Sequence, residues 1–451
     1  MKKKLMSALL AVVMIVSLLS ACGVKTEQPQ ATVADAGVST TVEANENYFS
    51  EPVKITWMTW NVSNTPVFYD MLTAKAKEYY NIDLEVQNYS SDEYTNILLT
   101  KAAANDVPDI CEVHKITTGE GAALLEQGLL ADISDYAVKD RVTSACYTVQ
   151  DDGGIYFYTH CSGTVGLYYN KTVFEEYGIK VPDNIEELYA ACETLKANNV
   201  TPLAAGFKEP WSATVTVWSL PHQFVVGDKT AEMNKIWEEF GNGTRKFAED
   251  EGAIKVFDFA FELRDRGYFQ QHYMGTDSTQ AASMLAYGDA GMFISGAWMY
   301  PQIMAINPDA EIGFIAIPAN EPGQPRYIGN DAAQGPVVAK DCENMKAAEL
   351  VYELYFSPEL MTQWFTESKA VPLIEGVTVD DPFTKMMMEA FENSAGYGSD
   401  YWQAAWPASV DNDYKLLYQE ALSNPEITAE EFAQQMDELI ENALKNEAAA
   451  N

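Results

Sequence analysis

Histidine and cysteine are scarce in this chain, with four His and six Cys in 451 residues. No C-x-x-C pair and no H-E-x-x-H occurs, so no metal site is expected. Beyond the N-terminal region the cysteines are Cys111, Cys146, Cys161, Cys192 and Cys342. An odd set cannot pair completely, and a small apolar thiol suits core positions. Basic residues are also few: 29 Lys plus Arg stand against 66 Asp plus Glu, a formal net charge of −37. Such a surface repels polyphosphates, which excludes nucleic acid as a partner. G-x-S-x-G, the G-x-x-x-x-G-K-[ST] phosphate loop, G-x-G-x-x-G and the EF-hand loop are all missing, and no cofactor is expected. Nor does any uninterrupted apolar run reach the ~20 residues that a bilayer-spanning helix needs.

The longest such run, residues 5–19, follows Lys2, Lys3 and Lys4 and ends in L-S-A-C-G at 19–23. Its length suits the apolar stretch of a signal peptide, and the ending resembles a bacterial lipobox. That resemblance implies a signal peptide over 1–21, a lipid-modified Cys22 and a chain held at the outer face of the cell membrane. Residues 22–51 carry no helical or alternating apolar period and read as a flexible tether with a reach of about 30 Å. The rest is well supplied with core-forming residues: the chain is 47% hydrophobic and 12% aromatic, and its length calls for more than one core.

From Pro52 onward, strand and helix signals alternate. V-K-I-T-W-M-T-W (53–60), I-D-L-E-V (82–86) and P-D-I-C-E-V (108–113) read as strands. Between them lie helical patterns with Phe68, Leu72, Ala76 and Tyr79 on one face, then Tyr94, Ile97, Leu98 and Ala102. A β-α-β-α-β order predicts a parallel sheet with helices packed on it, and a ligand beyond the carboxyl ends of the strands. A second α/β region follows at about 160–320, with a helix opened by Asp183 and Glu186 at capping-box spacing. The last hundred residues read as mainly helical, closing on a helix capped by T-A-E-E (428–431) with Phe432, Met436, Leu439/Ile440 and Ala443 inward.

Nine Trp and 25 Tyr are present, and several Trp sit in loop-like, polar settings: W-N (60–61), K-E-P-W (208–211), S-G-A-W (295–298) and Y-W-Q-A-A-W (401–406). An indole face covers the C–H face of a sugar ring, while Asn, Asp and Glu bond its hydroxyls. Trp57, Trp237 and Trp364 read instead as core.

In these segments, and in A-A-A-N-D-V-P-D-I (102–110), E-Q-G-L-L-A-D-I (126–133), G-L-Y-Y-N-K-T-V-F (166–174), G-D-A-G-M-F-I-S-G-A-W (288–298) and A-A-E-L-V-Y-E-L-Y-F-S-P-E-L (347–360), the chain resembles the extracellular solute-binding lipoproteins of carbohydrate ABC transporters, the maltose-binding-protein-like group. The resemblance implies an α/β fold of the type II periplasmic-binding-protein kind, two lobes with a hinge and an interlobe cleft. It implies lobe 1 from 52–160 plus about 328–375, and lobe 2 from 161–327 plus about 376–446. Chain crossings are implied near 158–162 and 318–328, with a third past Pro372. The ligand-binding residues it nominates are Trp60, Asn61, His114, Glu209, Trp211, Trp298, Asp331 and Trp402. The loop after P-D-I-C-E-V reads H-K-I-T-T, where maltose-binding protein has an aromatic and an acid, so maltose itself is not implied. The implied partners are a carbohydrate and the permease subunits of an ABC transporter, with the protein a monomer that performs no catalysis. Two alternatives stay open: the same fold binding a peptide or polyamine, or a surface glycosidase, whose paired carboxyls would stand about 5–9 Å apart.

Overall fold

The computed structural model describes residues 47–450, apart from 117–118, 333, 378, 396, 399–401 and 408. Cys22, the apolar run and most of the tether lie outside the described residues. Strand β1 (Val53–Thr59) leads into helix α1 (Pro66–Tyr80), strand β2 (Ile82–Asn88), helix α2 (Ser91–Ala103), strand β3 (Ile110–Val113) and helix α3 (Gly119–Glu126). Pro66 opens α1, where its missing N–H costs nothing. The helix buries Phe68, Tyr69, Leu72 and Ala76, whereas Tyr79, expected on that face, is exposed. Asn81 ends it in the left-handed region at φ 58°, and its N–H caps the carbonyls of Ala76 and Lys77.

β1 pairs in parallel with β2 from Val53↔Ile82 to Thr59↔Asn88, and with β3 through Trp57↔Ile110. The predicted parallel β-α-β-α-β unit is therefore present. One strand from far along the chain, β9 (Gly335–Val338), adds antiparallel to β3 and completes the order β2-β1-β3-β9.

The second sheet is built around β4 (Cys161–Asn170). Its other members are β5 (Thr201–Ala204), β6 (Ala290–Gly296), β7 (Ile312–Ile315), β8 (Ile328–Ala332), β10 (Val371–Pro372) and β11 (Tyr397–Gly398). β8 and β10 pair antiparallel with the first half of β4, and β6 and β7 with its second half. Helices cover this sheet, and the last of them, Ala429–Ala450, buries Phe432, Met436, Ile440 and Ala443 as predicted. The Thr428 hydroxyl accepts the Glu431 N–H at 3.2 Å and the Glu431 carboxylate accepts the Thr428 N–H at 3.1 Å, a reciprocal cap. At Ile185–Ala197 the cap falls one residue later than the spacing suggested, since Asn184 accepts the Glu187 N–H.

Apolar side chains gather accordingly. Trp57, Phe68, Tyr158, Cys161, Tyr355 and Trp364 belong to a core on the first sheet. Val165, Leu203, Trp237, Phe257, Tyr418 and Phe432 belong to a core on the second. The chain passes between the cores three times. The first passage lies between Cys161 and Val165, the second between Ile328 and Val337, and the third between Val377 and Phe383. The second comes later than the 318–328 segment because Ile328–Ala332 is bonded to β4. The first two run side by side, where Ser162 pairs with Ala332, and Val371 of β10, on the approach to the third, pairs with Ser162 as well. All five described cysteines are buried and unpaired, as small apolar residues would be.

Candidate functional site

Strands β1 and β3 end together, and the residues just past them cluster: Trp60 and Asn61 are buried, at 8% and 4% exposure, and His114 carries the exposed face. The Trp60 indole stacks flat on the His114 imidazole, with centroids 4.2 Å apart and planes inclined by 13°. Tyr94 of α2 meets the same indole edge-on at 4.7 Å. His114 is half-exposed and anchored from behind: its Nδ1 lies 2.7 Å from Glu120 Oε1, and its backbone N–H donates to the same oxygen at 3.0 Å. Burial alone would raise the Glu120 carboxyl, but the charge and hydrogen bonds of His114 overcome it and hold the group at about 2. Asn61 donates from Nδ2 to Glu112 Oε2 at 2.6 Å and to Gln334 Oε1 at 3.1 Å. Glu112 itself is a buried carboxylate, raised above its ordinary range by burial against the opposing pull of its hydrogen-bond donors.

The second lobe supplies a different surface. β6 ends at Gly296, and the Tyr168 hydroxyl lies 3.0 and 3.1 Å from the carbonyls of Gly296 and Ala297, pinning the turn that follows. Trp298 emerges there half-buried. Its ring centroid lies 6.4 Å from that of Trp211 and 6.2 Å from that of Trp218, each pair of planes inclined by 53°. Trp211 stands in the short helix Pro210–Thr214, and Trp218 donates from its indole to Thr214 Oγ1 at 3.1 Å. Glu209 sits beside them and accepts the Ser278 N–H at 3.2 Å, at the N-terminus of the helix Ser278–Tyr287.

Trp60, Asn61 and His114 thus come together on the first lobe, and Glu209, Trp211 and Trp298 on the second. Asp331 is placed by its backbone only, opposite Gly163 in β8; its side chain lies outside the described residues. Trp402 must be corrected. It is 1% exposed and enclosed by Trp237, Phe240, Phe247 and Phe257, so it fills the core of the second lobe. Trp406, four residues on, is buried in the same core but borders an open groove of about 360 Å³, which Ala122 and Glu126 of α3 also line, with Glu238, Leu444 and Glu447 around it. α3 belongs to the first lobe and Trp406 packs in the second, so this groove lies between the lobes. Sequence reasoning missed Trp218 and Glu112. Trp218 stands seven residues after Trp211, two helical turns on, which was a usable signal. Glu112 is an acid inside an otherwise apolar strand, a second one.

The chain thus has two sheets, crosses between its halves three times and groups aromatic rings in each half. Residues 61–362 match the family model of the bacterial extracellular solute-binding proteins. The chain belongs to that family. Among its relatives, a multiple sugar-binding protein of Streptococcus mutans is 24% identical over 335 residues, covering 68% of this chain and 74% of the other. A solved chitin oligosaccharide binding protein superposes with a TM-score of 0.76 at 21% identity, over 87% of this chain and 99% of that one. The solute-binding protein RafE, solved with raffinose, gives 0.73 at 22%, with the same coverage. These solute-binding folds are two-lobed, and the present chain shares that fold. Among the described residues no helix is long and apolar enough to cross a membrane.

Proposed function

We propose that this solute-binding protein captures an oligosaccharide between its lobes and delivers it to an ABC permease, without covalent chemistry. The observation that carries the reading is the pair of aromatic clusters, the exposed His114 ring backed by the buried Trp60 indole, and Trp298 with Trp211 and Trp218. Each is edged by carboxamide or carboxylate groups, Asn61 on one side and Glu209 on the other. Flat indoles beside hydrogen-bonding side chains suit an uncharged polyol. The multiple sugar-binding, chitin oligosaccharide and raffinose relatives support the same class. We assign residues 52–160 with about 335–377 to lobe 1, and 161–332 with about 383–446 to lobe 2, the second boundary moving with β8 from the expected 328. The ligand-binding set is Trp60, Asn61, His114, Glu209, Trp211, Trp298 and Asp331, with Trp218 added and Trp402 removed. The lipobox supports anchorage of a monomer through Cys22 at the outer face of the membrane.

A thermal-shift screen with raffinose, stachyose and chitin oligosaccharides tests the reading. A ligand at 100 times its Kd should stabilise the fold by about 2.7 kcal/mol, and mass spectrometry should recover it intact. Stabilisation by spermidine and by no sugar would overturn the assignment in favour of a cationic solute, and cleavage of the sugar would overturn the receptor role.

A further inference from the structure

Glu112 is fully buried in β3, yet its four side-chain donors are all neutral. Trp57 Nε1 reaches its Oε1 at 3.3 Å, and the Tyr69 hydroxyl bonds the same oxygen. Thr59 Oγ1 and Asn61 Nδ2 reach Oε2 at 2.9 and 2.6 Å. Trp57, Thr59 and Asn61 are alternate residues, so one face of β1 and its extension is turned toward this carboxylate. A buried anion that meets only neutral donors is costly, and its retention calls for a task.

The task lies in the Asn61 carboxamide. Its Nδ2 has two hydrogens; one goes to Glu112 and the other to Gln334 Oε1 at 3.1 Å. The Asn61 backbone N–H is also fixed, donating to Thr59 Oγ1 at 2.9 Å. With both amide hydrogens directed inward, the oxygen Oδ1 is the atom left for a ligand. We propose that Glu112 is a positioning residue: it locks Asn61 with its oxygen toward the ligand, so that this wall recognises a hydroxyl that donates a hydrogen bond. The proposal rests on the reading of Asn61 as a sugar contact. A glutamine at 112 would bring an NH2 group against converging donors. Rotating the Asn61 carboxamide by 180° would relieve that clash and present a donor to the ligand in place of an acceptor.

The test is a double-mutant cycle on affinity with Glu112→Gln, Asn61→Ala and the double variant, titrated calorimetrically with raffinose, stachyose and chitin oligosaccharides. Glu112→Gln should weaken the bound sugar by about 10-fold, the scale of one good hydrogen bond. The double variant should match Asn61→Ala within about twofold, since without the carboxamide there is nothing left to position. Wild-type affinity in Glu112→Gln, or its full loss persisting on top of Asn61→Ala, would overturn the proposal. A ligand-free measurement stands beside it. The Asn61 side-chain amide protons, identified by NMR from their absence in Asn61→Ala, should exchange with water far more slowly in the wild type than those of exposed asparagines. Fast exchange would overturn the positioning role even where Glu112→Gln does not fold. If the protons exchange slowly but no sugar binds the wild type, the sugar assignment fails instead.

Discussion

The missing side chain at Gly296 lets Trp298 lie where it does: a Cβ built there would fall 2.1 Å from the Trp298 ring. Its φ of −80° is open to any residue. The need is space rather than backbone freedom. Gly296→Ala should therefore displace the indole and weaken sugar binding in the same direction as Trp298→Ala. For the latter the loss should be about 2 kcal/mol, roughly 30-fold in Kd. Trp298 is half-buried, so its truncation should cost less stability than the about 3–5 kcal/mol of a core Trp. Trp402→Ala is the converse, a large loss of stability with affinity kept. Calorimetric titration and urea melts of the three variants separate these outcomes, and normal affinity in Trp298→Ala would remove it from the site. Polar neighbours made Trp211 and Trp298 legible in the sequence. They could not show that Trp402 is core, because both indoles of Y-W-Q-A-A-W stand among small and polar residues in the sequence and yet pack into one core.

Among the elements, the helix Ser278–Tyr287 shows how local signals serve the site. Asp277 and Gln280 form a reciprocal capping box, and Glu209 takes the Ser278 N–H on the same first turn. Asp277→Ala should cost about 1 kcal/mol in a urea melt; an unchanged midpoint would mean that Glu209 carries the helix end alone. Near the first passage, His160 is fully buried with Trp364 edge-on at 4.4 Å. Burial lowers its pKa to about 3. The unfolded chain takes up this proton below about pH 6.5 while the folded one does not until about pH 3, so stability falls as the pH drops through that window. Between pH 7 and 5 the loss should be about 2 kcal/mol, and His160→Phe should flatten that slope in urea melts across the range. Glu120 acts lower down: held at about 2, it contributes stability above its unfolded value near 4.3, and this is lost as the pH falls toward 2. The strands and helices themselves followed from periodicity. The second passage was not legible, because β8 is short and only its bonding to β4 assigns it to the second sheet.

At the scale of the molecule, two lobes joined by three crossings allow one lobe to turn against the other, and a ligand that touches both walls only when they approach favours the closed form. The lipobox makes an independent prediction: Cys22→Ser should leave the protein soluble after membrane fractionation with its sugar affinity intact, and membrane retention of that variant would contradict lipid anchorage. Capture between the lobes is the central claim, and small-angle scattering across a titration with the sugar selected by the thermal-shift screen tests it most directly. The radius of gyration should fall in proportion to the calorimetric occupancy and level off at saturation. A radius that stays constant while the sugar binds would contradict capture between the lobes.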